Sequence, residues 1–226
     1  MRINKLALTN FRSYNSLELE FGPGVNTFIG DNGSGKTNIA ESLIYLAFLS
    51  SHRVSNNVPL ISLGNQQAII RTEVQREDRT LQIDLEINAS KANRTRINGN
   101  PTRSQREILG VIQIVYFSPE DLDLVRGEPG NRRDFLDRLL ITRTPRLAGV
   151  IADYERVVKQ RNALLKTRAS VAALVPWNEQ LIKLGAELTA ERIALIDALN
   201  PYVAQNYANL NEVKPASISY KCNTEG

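Results

Sequence analysis

The chain has 226 residues, 42 % of them apolar, enough for one large domain or two smaller ones with a buried core. Twenty-eight Lys and Arg against 24 Asp and Glu leave a formal net charge of +4, compatible with an anionic partner without demonstrating one. The lone cysteine, Cys222, excludes an intrachain disulfide, one histidine leaves no metal-cluster pattern, and the longest apolar run, Leu43 to Leu49, is too short to span a bilayer.

The start, Met1-Arg2-Ile3-Asn4-Lys5, leads into strand-like alternation and not into a signal sequence, so a cytoplasmic protein without a membrane partner is expected. Leu6 and Leu8, then Leu17, Leu19 and Phe21, alternate at period two around Asn10-Phe11-Arg12-Ser13-Tyr14. Taken alone, Arg12 reads either as a surface arginine or as a residue facing a bound phosphate. Val25 to Ile29 reads as a short strand, and Asn38 to Leu49 as a helix. Between them Gly30-Asp31-Asn32-Gly33-Ser34-Gly35-Lys36-Thr37 fits the phosphate-loop pattern G-x-x-x-x-G-K-[ST] in the strand–loop–helix context it requires. The glycines permit a backbone that points successive N–H groups at a phosphate, and the helix start adds its positive end. Lys36 is expected to reach the β- and γ-phosphate oxygens of ATP, and Thr37 to hold Mg²⁺ through its hydroxyl. His52, just past the helix, reads as a C-terminal cap in preference to a catalyst.

Further strands are expected over Ala68 to Val74 and Leu81 to Ile87, with Arg76-Glu77-Asp78-Arg79 as a hairpin tip, and at Thr95 to Ile97 before the turn Asn98-Gly99-Asn100-Pro101. Lys91, Arg94, Arg96, Arg103 and Arg106 form a basic stretch, either a solvated face or a surface that neutralises DNA phosphates. Ile112 to Phe117 reads as a buried strand ending at a helix start, with Ser118 as N-cap and Pro119 behind it. Helices are expected over 132–142 and 148–169. Pro176 reads as a break, followed by a coiled-coil-like seam of Trp177, Leu181, Leu184 and Leu188 that stops at Asn200-Pro201. Two readings remain for 148–200: an antiparallel hairpin projecting from the α/β unit, or a helix pair packed on the core. Ser217 onward looks like an unfinished strand. No Asn-Lys-x-Asp base-reading motif occurs, which argues against a GTPase.

Several segments together resemble the RecF family of bacterial recombination mediators, in the SMC-like ATP-binding cassette group. They are Leu8 to Tyr14, the phosphate loop with Asn38, Ser51-His52-Arg53, Ile97-Asn98-Gly99, Phe117 to Leu122, Arg132 to Asp137, Asp153-Tyr154-Glu155 and Lys159 to Leu165. The resemblance implies an α/β fold, a partial P-loop NTPase head of ABC type with an inserted helical-hairpin second lobe. It divides the chain into 1–130 (first lobe), 131–210 (helical lobe) and 211–226 (start of a return segment). It implies that Gly30 to Asn38 and Arg12 contact ATP, that nucleotide joins two heads into a homodimer, and that the dimer clamps DNA. Action at single-strand gaps and single-strand/double-strand junctions with RecO and RecR follows from the same resemblance, as do RecA loading, replication restart and the SOS response.

The sequence departs from the family pattern in one large way. Neither a Ser-x-Gly-Gln signature segment nor an apolar strand ending in paired acids occurs. The resemblance places both beyond residue 226, so an N-terminal portion of a longer protein is expected, with no catalytic residue in this chain and no ATP-driven dimer of it. Two rivals are a small-molecule phosphotransferase, for which no acceptor lid or base can be placed, and an SMC-type tether, which needs a far longer coiled coil.

Overall fold

A computed structural model describes residues 1–54, 56–210 and 215–222, and the chain divides into two compact units, Met1–Phe117 and Ser118–Gly226. No helix of the described residues is long and apolar enough to cross a membrane.

The first unit is built on an antiparallel sheet of order β2-β1-β3-β4-β5-β6. Its strands are β1 (Arg2–Phe11), β2 (Tyr14–Glu20), β3 (Gln67–Arg76), β4 (Arg79–Asn88), β5 (Arg94–Ile97) and the short β6 (Asn100–Pro101). The period-two alternation decides which face is dry. Leu6, Leu8, Ala68, Ile70, Val74, Ile83, Leu85 and Ile87 are buried together with Ile39, Tyr45 and Leu46 of helix α1 (Lys36–Phe48). Each such aliphatic side chain contributes about 1.5–3 kcal/mol. Lys5, Glu18, Arg71, Asp84, Arg94 and Arg96 fall at the alternate positions.

Two expected strands are absent. Val25 to Ile29 and Ile112 to Phe117 carry no ladder, apart from one isolated bridge between Leu109 and Ile112. Val25 and Ile29 are 94 % and 92 % exposed, Val115 and Phe117 97 % and 81 %. Strand character comes from cross-strand pairs, and neither segment finds a partner among the described residues. His52 is not a cap either: Leu49 closes α1 in the left-handed conformation (φ 55°), donating to Tyr45 O at 2.8 Å, while His52 Nε2 lies 3.1 Å from the Tyr116 hydroxyl.

The second unit is helical, with α2 (Asp123–Arg126), α3 (Pro129–Arg143), α4 (Leu147–Lys166) and α5 (Val171–Ala208). At its start Ser118 directly precedes the turn Pro119–Leu122, as expected of an N-cap, and its N–H donates to Asp121 Oδ2 at 2.6 Å, the reciprocal half of a capping box. Helices α4 and α5 run antiparallel. Arg146 pairs with Glu187 and Glu191, and Arg161 Nε donates to Asn178 Oδ1 at 2.7 Å. Between them Gly185 admits Tyr154, whose ring would stand 3.4 Å from an added Cβ. Leu136, Leu140, Leu147, Ile151, Leu188, Leu195 and Ile196 form the core.

The prolines do not end the helix as the sequence suggests, because α5 runs through both Pro176 and Pro201. Each removes one ladder bond. Pro176 does so six residues after the Ser170 N-cap and Pro201 seven before the end at Ala208, and the helix continues across both.

Residues 215–222 return as extended chain without a ladder, and 223–226 of the expected strand lie outside the described residues. The Asn200 side chain grips this segment from both sides. Its Nδ2 donates to Ile218 O at 2.9 Å and its Oδ1 accepts from Ile218 N at 2.9 Å. Ile218 and Tyr220 pack against the core. Arg192 is bidentate to Asp137 (2.8 and 2.7 Å) and donates to the Tyr220 hydroxyl at 3.3 Å.

Candidate nucleotide-binding site

The loop from Gly30 to Thr37 sits at the N-terminus of α1, whose cap residue Gly35 supplies no side chain to its first turn. Gly35 (φ 95°) and Gly33 (φ 86°) hold left-handed angles. At Gly35 an added Cβ would stand 2.6 Å from the Tyr14 hydroxyl and 2.9 Å from Ser13 Oγ, so no other residue fits. Among the described residues, no protein acceptor meets the N–H groups of Gly33, Gly35, Lys36 or Thr37. Consecutive exposed donors at the positive end of a helix suit a phosphate.

Lys36 closes the loop on itself. Its Nζ donates to Gly30 O (2.6 Å), Asp31 O (2.7 Å) and Ser34 Oγ (3.4 Å). The Tyr14 hydroxyl donates to Ser34 O at 3.3 Å. Asn38 Nδ2 donates to Ser13 Oγ at 3.0 Å, and Asn38 Oδ1 accepts from Arg53 Nη1 at 3.0 Å. Thr37 is exposed, and no group of three or more His, Cys, Asp or Glu among the described residues could hold a metal.

Arg12 is brought to the same place, but its guanidinium faces a carboxylate. Arg12 Nε and Nη2 donate to Glu41 Oε2 (2.9 Å) and Oε1 (2.6 Å), and Nη1 donates to Pro59 O (2.9 Å). Glu41, on α1, is wholly buried and also accepts from Ser51 Oγ (2.5 Å) and Arg53 Nη1 (3.2 Å). Burial alone pushes its carboxyl up; the hydrogen bonds from Arg12 and Ser51 and the two arginine charges outweigh that and hold it below the ordinary range. A depressed carboxyl contributes stability that is present above its unfolded value and is lost as pH falls through the folded one. The melting temperature of the wild type should therefore exceed that of Glu41→Gln at neutral pH, the gap shrinking as pH drops below the carboxylate range. A gap independent of pH would contradict it.

Glu41, Ser51, Arg53, Ser13 and Tyr14 were not expected at the site from the sequence. The one local signal is an acid on the apolar face of a helix.

The basic stretch is split by the sheet. Arg94 and Arg96 lie on β5 directly opposite Glu86 and Asp84 of β4 in the register, and Asp84 forms its ion pair with Arg71 (3.7 Å). Lys91, Arg103 and Arg106 are exposed, with no acid in ion-pair reach among the described residues.

A family model described as an AAA domain matches residues 5–140. The DNA replication and repair protein RecF of Streptomyces avermitilis is 45 % identical over 237 residues, spanning 100 % of this chain and 64 % of the relative. That of Kineococcus radiotolerans is 49 % identical over 204 residues, spanning 87 % and 52 %. The chain thus covers between half and two thirds of these relatives. Among solved structures, the recombination mediator protein RecF-ATPrS of the RecFOR pathway superposes with a TM-score of 0.87 at 25 % identity, covering 93 % of this chain and 58 % of that one. The RecF-ATP form gives 0.81 at 26 %. An SMC ATPase studied for ATP-driven dimerization and DNA-stimulated activation gives 0.51 at 23 %, covering 61 % of this chain and 98 % of that one, a likeness of fold.

Proposed function

This chain belongs to the AAA domain family and is a homologue of RecF with the fold of a P-loop ABC-type head, and from that we propose that it supplies the ATP-binding part of a DNA-binding protein of recombination and repair. The observation that carries the reading is the set of open N–H groups of Gly33, Gly35, Lys36 and Thr37 on the free N-terminus of α1. In this reading Gly30 to Asn38 wrap the triphosphate, Lys36 leaves the carbonyls of Gly30 and Asp31 for phosphate oxygens, and Thr37 holds Mg²⁺. The ion would offset negative charge on the phosphate oxygens. Arg12 turns part of its guanidinium, which has N–H groups to spare, toward the nucleotide.

The finer role proposed is that of the family: binding single-strand gaps and single-strand/double-strand junctions, ATP-dependent pairing of heads, and support of RecA loading with RecO and RecR in replication restart and the SOS response. The sheet unit with α1 serves as the first lobe and the helical unit as the second.

Charge placement sharpens the DNA surface. Opposed by Glu86 and Asp84, Arg94 and Arg96 offer less net attraction than Lys91, Arg103 and Arg106. Reversing Lys91, Arg103 and Arg106 to Glu together should weaken DNA binding about tenfold at low salt and flatten its log–log salt slope by roughly 0.9 for each phosphate no longer neutralised. Reversing Arg94 and Arg96 should do less. Fluorescence anisotropy with gapped and duplex DNA across a salt series reads both. Wild-type affinity with an unchanged salt slope in the triple variant would move the DNA surface elsewhere.

A further inference from the structure

We propose that Glu41 is the positioning residue of the nucleotide site, fixing the guanidinium groups of Arg12 and Arg53 against the first turns of α1. The inference rests on the reading of Gly30 to Thr37 as a nucleotide loop. Glu41 stands one helical turn beyond Thr37 and has no exposed surface. Two long cationic side chains converge on it from different segments, Arg12 from the β1–β2 turn and Arg53 from the loop after α1. Each is fixed by a second partner, Arg12 on Pro59 O and Arg53 on Asn38 Oδ1, next to Thr37. The backbone of Arg12 is fixed too: it holds a left-handed φ of 53°, its N–H donates to Leu60 O at 2.8 Å, and its carbonyl accepts from Ser62 Oγ at 2.7 Å.

Filling space would not call for this arrangement. The neighbouring core positions of α1 are Ile39, Ile44 and Leu46, and an apolar residue at 41 would pack there without two counter-ions. The carboxylate lies inside and the arginines reach outward, with side chains 16 % and 42 % exposed. Two cations against one anion leave a net positive charge at the first turns of α1. Three of the five N–H donors of Arg12 are engaged, so the group is held in place and still able to donate. Glu41 thus sets where this charge sits before any phosphate arrives.

The test is titration of a fluorescent ATP analogue into the 226-residue protein and its Lys36→Ala, Glu41→Gln, Glu41→Asp and Arg12→Ala/Arg53→Ala variants, the last with and without Glu41→Gln, beside thermal melts. Glu41→Gln should weaken binding about tenfold, with partial recovery in Glu41→Asp. In the arginine-free background Glu41→Gln should leave affinity unchanged yet raise the melting temperature, because it removes a buried carboxylate without partners. If Glu41→Gln does not fold, Ser51→Ala, which keeps every charge, should weaken binding about threefold. Wild-type affinity in Glu41→Gln (or in Ser51→Ala, where that variant stands in), or a full further loss in the arginine-free background, overturns the positioning role while Lys36→Ala still abolishes binding. Undiminished binding by Lys36→Ala instead removes the nucleotide reading, and this inference with it.

Discussion

Lys36→Ala is expected to cost about 2–4 kcal/mol of ATP affinity, a loss of roughly 30-fold to 1000-fold. The charge removed is the one nearest the exposed N–H row, and it now rests on the carbonyls of Gly30 and Asp31 at 2.6 and 2.7 Å. Those carbonyls are neutral acceptors, and exchange for phosphate oxygens replaces them with charged ones, which bind an ammonium about twice as strongly. Removing the ammonium therefore weakens the bound state most. Thr37→Ala should act differently, lowering the Mg²⁺ dependence of binding more than binding itself. Titration with a fluorescent analogue, with and without Mg²⁺, separates the two. Undiminished binding by the Lys36 variant would end the assignment.

Asp137→Ala should destabilise the helical unit by about 3 kcal/mol, close to the lower figure for breaking a buried ion pair. The Arg192 and Asp137 side chains are 9 % and 14 % exposed, and the substitution strands a guanidinium with only the Tyr220 hydroxyl for company. Burial pulls that guanidinium down, but bonds to Asp137 and Tyr220 more than reverse the effect and keep it charged. A small offset comes from Glu155, whose carboxyl is pushed up by burial and by the charges of Asp134 and Asp137, and which is relieved when one acid goes. Replacing both partners together, Asp137→Leu with Arg192→Met, should recover most of the loss, since two apolar groups leave no orphaned charge. Urea denaturation of the three proteins decides. A double variant no better than Asp137→Ala would mean that the site cannot repack.

Local signals found most of the framework. Period-two runs located β1 to β5, the glycine loop located α1, and leucine spacing located the inner face of α5. What failed was whatever depends on a distant partner. Val25 to Ile29 is as rich in β-formers as β3, yet strand formation is decided by a neighbour that local composition does not reveal. The prolines of α5 mislead for another reason: each removes one ladder bond near an end of a 38-residue helix, and the helix continues across it. At the site, Lys36 and Thr37 were legible because the motif is contiguous. Glu41 was not, because its meaning comes from Arg12, 29 residues away in sequence, and from Arg53. Arg94 and Arg96 read as a uniform basic run until the register set Glu86 and Asp84 opposite them.

The grip of Asn200 on Ile218 makes one side chain do for the returning chain what a ladder does for a strand. An amide carries a donor and an acceptor at the spacing of a peptide edge, so it accepts one residue at a time and measures parity. With Ile218 in its grasp, Ile218 and Tyr220 face the helices and Ser217 and Ser219 face away. Threading the chain one residue early or late would turn Ser217 and Ser219, or Ser219 and Lys221, toward the core and swing the Tyr220 hydroxyl off Arg192. The alignment of this segment is therefore quantised in steps of two, and Asn200 is the tooth that selects the step.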